Sequence, residues 1–269
     1  MDSGVTSDED YWLAAALLEW QAELGADEAL SETPVNRYEL PPPEAAPAAP
    51  VAPPVARGAP ELPPPLEAPD AVAIAEAAAA GAADLDGLRA AMADFEGCEL
   101  KKGARNLVFS DGNPAARVMV IGEAPGRDED AQGKPFVGRA GQLLDRMFGA
   151  IGMGRAEPGE NALYITNILP WQPPGNRDPE PAEIAMMLPF VRRHVELVGP
   201  EVLVLMGNIS CLALLGRKGI TRLRGAWTEA LGVPAMPMFH PAYLLRNPAA
   251  KREAWADLLE VQARLRHGG

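Results

Sequence analysis

Three polar residues that could share one reaction lie at the ends of separate apolar segments. Glu123 follows the segment 117–122, Asn167 ends the segment 162–167, and His240 lies near the end of the segment 235–241. A carboxylate can hold a water molecule or stabilise a cation, an amide offers a donor and an acceptor, and an imidazole can donate a hydrogen bond. Each residue alone is weak evidence of a site, but their placement at three segment ends favours a shared one.

An isolated aromatic residue lies between two glycines in the stretch "GKPFVGRAG" (133–141). We predict that Phe136 forms a flat platform for a planar ligand, because stacking on an aromatic ring is worth about 1–3 kcal/mol per nucleic-acid base. The flanking glycines allow the backbone to approach such a ligand closely. The alternative is that Phe136 fills the core beneath its own loop.

Three consecutive acids, Asp128, Glu129 and Asp130, precede this loop. They could hold a metal ion, but successive residues do not converge on one ion unless a loop wraps around it, and the spaced acids of a calcium loop are absent. We therefore predict a solvated turn in which one of the acids caps the next element.

The stretch "HPAYLLRNP" (240–248) places two leucines and an arginine just after the last apolar segment. Leucines in a loop normally fold back into the core, but they can also wedge between base steps while a nearby arginine holds phosphate. Arg139, at a predicted helix start, and Arg177, in "PPGNRDP" (173–179), are further candidates for anion binding. Each of these arginines is equally well explained as a solvated surface charge.

Four short apolar segments, each followed by a loop and a helical pattern, are predicted to form the sheet that positions these residues. The segments are 117–122, 162–167, 202–207 and 235–241, and the predicted helices are 140–151, 181–198, 208–215 and 249–266. Continuous apolar strands that alternate with helices indicate a mainly parallel sheet covered on both faces. The carboxyl ends of its strands meet at one edge, where ligands of open α/β sheets bind.

The 269-residue chain divides into three predicted parts: an acidic amphipathic helical segment (1–33), a Pro/Ala-rich linker (34–70) and a globular domain (71–269). Residues 34–70 hold 13 of the 28 prolines. The first 85 residues carry 16 acidic and 2 basic residues, whereas the remainder carries 21 and 22. The net charge of -13 therefore does not exclude a nucleic-acid ligand for the domain. The N-terminal helix either docks on its own domain or binds a protein partner.

Two cysteines cannot form a disulfide framework or a four-thiolate cluster. We find neither the pattern of a secretion signal nor an apolar run of the length that spans a membrane. These patterns predict a cytoplasmic protein that does not contact membranes, and we expect a monomer.

Three motifs in this order resemble those of family 4 uracil-DNA glycosylases: "GEAPGRDEDAQGKPFVGRAGQLLD" (122–145), "YITNILPWQPPGNRDP" (164–179) and "HPAYLLRNP". The resemblance covers residues 98–265. It implies a three-layer α/β/α fold with a four-stranded, largely parallel sheet. It also implies a monofunctional enzyme of base excision repair, which flips uracil out of single- or double-stranded DNA and hydrolyses the N-glycosidic bond.

The resemblance also implies roles for the candidate residues. The catalytic residues would be Glu123 and His240; the uracil-binding residues would be Ala124, Phe136 and Asn167; the DNA-binding residues would be Arg139, Arg177, Leu244, Leu245 and Arg246. Two alternatives remain open on the sequence. One is a metal-dependent nucleotide or phosphoester hydrolase that uses the three consecutive acids, and the other is a non-catalytic protein that binds damaged DNA.

One departure from the family concerns its cofactor. Family 4 enzymes usually hold a four-iron, four-sulfur cluster on four cysteines, and motif alignment places those positions at Phe95, Cys98, Trp171 and Met187. One thiolate cannot hold a cluster whose four irons each need a ligand. We therefore predict that the protein has no iron–sulfur cluster and no other metal.

Overall fold

The apolar segments form the centre of a six-stranded sheet in the computed structural model, which describes residues 68–267. The strands are β1 (Asp111–Gly112), β2 (Val118–Gly122), β3 (Leu163–Asn167), β4 (Val202–Met206), β5 (Thr228–Ala230) and β6 (Val233–Met238), arranged in the order β1-β3-β2-β4-β6-β5. The four central strands pair in parallel, and the short edge strands β1 and β5 pair antiparallel to their neighbours.

Helices cover both faces of this sheet. They are α1 (Ala68–Ala80), α2 (Leu85–Asp94), α3 (Leu100–Gly103), α4 (Arg127–Gln132), α5 (Arg139–Gly149), α6 (Pro181–Val198), α7 (Gly207–Leu215), α8 (Ile220–Leu223), α9 (Pro241–Arg246) and α10 (Lys251–His267). The longest, α6, shows why such segments are helical. Pro181 occupies its first turn, where no amide hydrogen is needed, and Gly199 ends it with a left-handed φ of 61°.

Side chains that alternate along the strands divide the core into two apolar clusters. Met119 and Ile121 of β2 face a cluster that includes residues of α1, α2, α6 and α7. Val118 and Val120 of the same strand face the opposite cluster, formed with residues of α5 and α10. Because both faces are covered, all residues of β2, β3 and β4 are buried, as expected for a parallel sheet.

The carboxyl ends of β2 and β3 lie side by side at one edge of the sheet. Gly122 and Asn167, the last residues of these neighbouring strands, are paired in the parallel register. The helix α5 that follows β2 packs on one face of the sheet, and the helix α6 that follows β3 packs on the other. The strand order β3-β2-β4 reverses its direction between β2 and β4, and α/β proteins bind ligands at the carboxyl edge beside such a reversal.

The predicted α/β/α fold with a mainly parallel sheet is confirmed, with one difference in strand number. The four predicted strands are the four parallel ones, whereas the edge strands β1 and β5 were not predicted. The predicted segment 1–33 and nearly all of the predicted linker 34–70 lie outside the described residues, so these boundaries stay predictions. Between residues 68 and 267, no helix is long and apolar enough to cross a bilayer.

Candidate active site

An open cleft of about 610 Å³ lies at the carboxyl edge of the sheet. All four parallel strands contribute to it through the residues at or just beyond their ends: Glu123, Asn167, Gly207 and His240. Phe136 enters the cleft from the loop between α4 and α5. This volume lies in the range of pockets that bind small molecules. The acid, the amide, the imidazole and the aromatic ring thus line one cleft.

The Glu123 carboxylate is available to a ligand. It forms no hydrogen bond or ion pair with another residue of the described chain. Burial raises the pKa of the Glu123 carboxyl above its usual range; the Asp178 carboxylate raises it further, and Lys218 opposes the shift. In its ionised form the carboxylate can hold a water molecule or stabilise positive charge.

The Asn167 side chain is buried beside the glycine that ends β2. It is 6% exposed, and its amide makes no hydrogen bond with other residues between 68 and 267. A Cβ placed on Gly122 would lie 2.3 Å from the Asn167 Oδ1 and 2.6 Å from the Phe136 ring. Only glycine at this position leaves room for both side chains, and the amide keeps one donor and one acceptor for a ligand.

Phe136 has an unusual backbone conformation, with a φ of 54°. The side chain is 5% exposed and packs in the core cluster of α5, yet its ring also lines the cleft. Phe136 thus packs in the core beneath its loop, as the alternative interpretation expected, while its role as a platform for a ligand stays a prediction. The ring lies against the His240 imidazole, with the two centroids 5.4 Å apart and the planes inclined by 29°.

The structure fixes the tautomer of His240. Its Nδ1 accepts a hydrogen bond from the Ala242 amide at 3.2 Å and caps the start of α9. Burial, with a contribution from Arg246, lowers the pKa of His240 to about 4. The imidazole is therefore neutral at physiological pH, and because Nδ1 accepts, Nε2 carries the proton. It can donate one hydrogen bond to an oxygen that gains negative charge.

A profile of the Uracil DNA glycosylase superfamily matches residues 109–259, more than half of the chain. The chain belongs to this superfamily. It is 36% identical to the Type-4 uracil-DNA glycosylase of Archaeoglobus fulgidus over 173 residues, which cover 61% of this chain and 84% of that protein. It is 39% identical to the Type-4 uracil-DNA glycosylase of Thermotoga maritima over 153 residues, which cover 56% and 77%.

A more distant relative within the superfamily is the Type-5 uracil-DNA glycosylase of Pyrobaculum aerophilum. It is 29% identical over 149 residues, which cover 51% of this chain and 66% of that protein. The higher identity and coverage of the Type-4 relatives confirm the assignment to family 4 that the three motifs predicted.

Seven of the ten predicted site residues line the cleft of this superfamily member, and three do not. Those in the cleft are Glu123, Ala124, Phe136, Asn167, Arg177, His240 and Arg246. Arg139 is exposed at the first turn of α5, outside the cleft lining. Leu244 is only 1% exposed and packs in the core, whereas Leu245 is partly exposed on the same short helix.

Arg177 is in the cleft lining, but its guanidinium is already engaged. Its Nη1 and Nη2 donate to the two carboxylate oxygens of Glu183 at 3.0 and 2.5 Å. This bidentate pair anchors the 172–178 loop on α6 and holds the pKa of the Glu183 carboxyl below its usual range, against the effect of burial.

Several cleft residues were not predicted, among them the polar side chains of Asp178, Asn208 and Lys218. Asn208 lies just beyond the end of β4, so its position after a strand was a usable signal. Its Oδ1 accepts hydrogen bonds from the amides of Gly219 and Ile220 at 3.1 and 2.9 Å, which brings the neighbouring Lys218 to the cleft. Neither Asp178 nor Lys218 differs from ordinary surface charges in the sequence.

The three consecutive acids lie in helix α4 rather than in a solvated turn, and two of them accept hydrogen bonds within the chain. The Asp130 carboxylate is buried and accepts from the amides of Arg105 and Asn106. The Glu129 carboxylate accepts from three amides, of which Gly126 belongs to the start of α4. Within residues 68–267, no group of three or more His, Cys, Asp or Glu side chains is arranged to hold a metal ion.

The four positions that correspond to cluster ligands lie in the apolar core. Phe95, Cys98, Trp171 and Met187 are at most 4% exposed and belong to one core cluster. Phe95 also packs edge-on against the Phe190 ring, with centroids 5.5 Å apart. Burial raises the pKa of the Cys98 thiol to about 11. One protonated thiol among three apolar side chains does not fit an iron–sulfur cluster.

Proposed function

We infer that this protein is a uracil-DNA glycosylase that removes uracil from DNA by hydrolysing the N-glycosidic bond, which leaves an abasic site for base excision repair. A fold hosts many activities, so the inference has to rest on the site. The observation that carries it is the convergence of Glu123, Phe136, Asn167 and His240 on one cleft.

We propose that Asn167 and Phe136 recognise the flipped base. The unpartnered amide of Asn167 matches the O4 acceptor and the N3–H donor of uracil. Cytosine presents the reverse pattern and would leave buried polar groups unpaired, which is costly. Phe136 offers its ring to the base for stacking. Ala124, in the turn after β2, is placed to exclude the C5 methyl group of thymine.

His240 and Glu123 are the proposed catalytic residues. Cleavage of the bond leaves negative charge on uracil O2 and positive charge on the sugar. The Nε2–H of neutral His240 donates to O2, and one preorganised donor of this kind is worth about 10²–10³ in rate. The Glu123 carboxylate holds the attacking water and stabilises the cationic sugar.

The DNA contacts are proposed to come from α9 and from arginines near the cleft. Leu245, rather than the buried Leu244, is the side chain that can enter the space left by the flipped base. Arg246 and Arg139 are exposed and free to contact phosphates, whereas Arg177 acts through its loop because Glu183 occupies its guanidinium.

We also propose that the protein works without an iron–sulfur cluster, since apolar side chains occupy the positions of the ligands. The purified protein is expected to be colourless and to contain neither iron nor acid-labile sulfide. Cys98→Ala should keep the activity. Stoichiometric iron, lost together with activity in Cys98→Ala, would contradict this proposal.

One incubation tests the activity. An oligonucleotide with a single uracil is incubated with the protein in EDTA, treated with alkali and resolved by electrophoresis. Breakage at the uracil is expected after alkali, and His240→Ala and Glu123→Ala should slow it. Unchanged breakage by both variants would overturn their assigned roles. Breakage without alkali would instead indicate a lyase step, for which Lys218 in the cleft offers the amine.

The cytoplasmic location, the monomeric state and a protein partner for the segment 1–33 stay predictions of the sequence. The activity assay above does not depend on any of them.

A further inference from the structure

The loop that carries Phe136 is held in a backbone conformation that side-chain-bearing residues rarely adopt. Phe136 has a φ of 54°. Such a conformation persists only where the surrounding structure enforces it. The loop also has no room to relax toward α5, because a Cβ on Gly141 would lie 1.8 Å from the Phe136 carbonyl oxygen.

A carboxylate holds the amide side of this loop. The Glu129 Oε1 accepts hydrogen bonds from the amides of Val137 and Gly138 at 2.9 and 2.8 Å. Its Oε2 accepts from the Gly126 amide at 3.1 Å. Both oxygens are therefore committed to backbone amides, and they tie the Phe136 loop to the turn after β2.

A guanidinium holds the carbonyl side. Arg155 lies between α5 and β3, outside the cleft lining. Its Nη1 donates to the Pro135 carbonyl at 3.1 Å, and its Nη2 donates to the Phe136 carbonyl at 2.9 Å. Asp111 and Asp145 anchor the same guanidinium, each at 2.9 Å. The Arg155 side chain is 17% exposed, so it is well shielded from competing water.

We propose that Arg155 is a positioning residue for the uracil platform. With Glu129 on the opposite side, it fixes the backbone around Phe136 so that the ring is in place before the base arrives. This inference rests on the proposed role of Phe136. The planar guanidinium binds two carbonyls and two carboxylates at once through four hydrogen bonds, and a lysine cannot reproduce that arrangement.

The proposal predicts that Arg155 acts only through Phe136. Arg155→Lys keeps the positive charge beside Asp111 but loses the fork, so the Phe136 loop relaxes. A small displacement of a group that positions the substrate can cost up to 10²-fold, so uracil release under single-turnover conditions should slow about 10- to 100-fold. Phe136→Ala should slow it at least as much.

A double-mutant cycle separates a positioning role from a merely structural one. In the Phe136→Ala background, Arg155→Lys should change the rate by less than about twofold, because the ring it positions is gone. If Arg155→Lys slows Phe136→Ala by the same factor as it slows the wild type, the residue does not act through Phe136 and the proposal is overturned.

Arg117→Lys is the matched control. Arg117 is 18% exposed, forms a bidentate pair with Glu201 at 2.7 and 2.8 Å and donates to the Leu265 carbonyl at 3.1 Å. It precedes β2, at the sheet edge opposite the cleft. Its variant should keep the wild-type rate. An Arg155→Lys rate within twofold of the Arg117→Lys rate would also overturn the proposal.

Two further results distinguish poor folding of a variant and failure of the platform role from failure of the proposal for Arg155. If Arg155→Lys folds poorly, Asp145→Asn removes one anchor of the guanidinium at a partly exposed site and should give a smaller loss that again vanishes in Phe136→Ala. If Phe136→Ala itself releases uracil at the wild-type rate, the platform role fails instead, which distinguishes the two failures.

Discussion

Replacing Gly122 with alanine should slow uracil release about 100-fold. A Cβ at this position would lie 2.3 Å from the Asn167 Oδ1 and 2.6 Å from two carbons of the Phe136 ring, whereas ordinary contact begins at 3.4 Å. One or both side chains must therefore move by about 1 Å, and a displacement of that size costs about 10² in rate. Gly122 is not among the glycines with a positive φ, so the substitution tests only the space for one methyl group.

The assay is single-turnover release of uracil from an oligonucleotide, detected after alkali with enzyme in excess. Overpacking costs about 1–3 kcal/mol of stability, so urea unfolding must first show that the variant is folded. Gly149→Ala is the control, since Gly149 ends α5 and a Cβ there meets no atom within 4 Å. A folded Gly122→Ala protein with the wild-type rate would refute the reasoning that Asn167 and Phe136 together form the uracil pocket.

Three further outcomes are expected. In the proposed mechanism Glu123 acts as a carboxylate, so activity should be lost as pH falls through its raised pKa. Asp178→Asn removes a like charge, lowers that pKa and should move the acidic limb of kcat to lower pH. Lys218→Gln removes the opposing charge and should move the same limb to higher pH. Asp257→Ala leaves Arg224 without its buried partner and should cost about 3–5 kcal/mol in urea unfolding.

Specific results would contradict the pH predictions and the stability prediction. The two pH variants should shift the limb in opposite directions, and a shift in the same direction would show that the limb does not report Glu123. Glu196→Gln is the control for the buried pair, because Arg193 and Glu196 form an exposed pair whose loss should hardly change stability. Equal stability of the two acid variants would contradict the importance assigned to burial.

The central sheet was predictable because its strands are continuous apolar segments. Five successive buried residues, as in β4, leave few other interpretations when a helical pattern follows. The edge strands were not predictable because they lack such continuous apolar segments. β1 has two residues and β5 has three, which is too short to show any periodicity. Their pairing depends on neighbours that are distant in the chain.

The cleft was predictable where its residues lie at or just beyond the ends of strands. Asn167 ends β3, Glu123 follows β2 and His240 lies just beyond β6, and the parallel register brings these strand ends to one edge. The orientation of the short helix α9 was not predictable in this way, so the sequence did not show which of its two leucines is buried. The structure places Leu244 in the core and Leu245 near the surface. Lys218 reaches the cleft through hydrogen bonds of Asn208, a long-range contact with no local signal.

The hydrogen bond that the His240 Nδ1 accepts from the Ala242 amide has two consequences. It sets which imidazole nitrogen carries the proton, and it begins the helix that ends in Leu245 and Arg246. With the proposed DNA contacts of α9, a strand that binds this helix would also fix the direction of Nε2. Deoxyuridine as a free nucleoside has no strand to make that contact, so it should be hydrolysed poorly although it carries the same base.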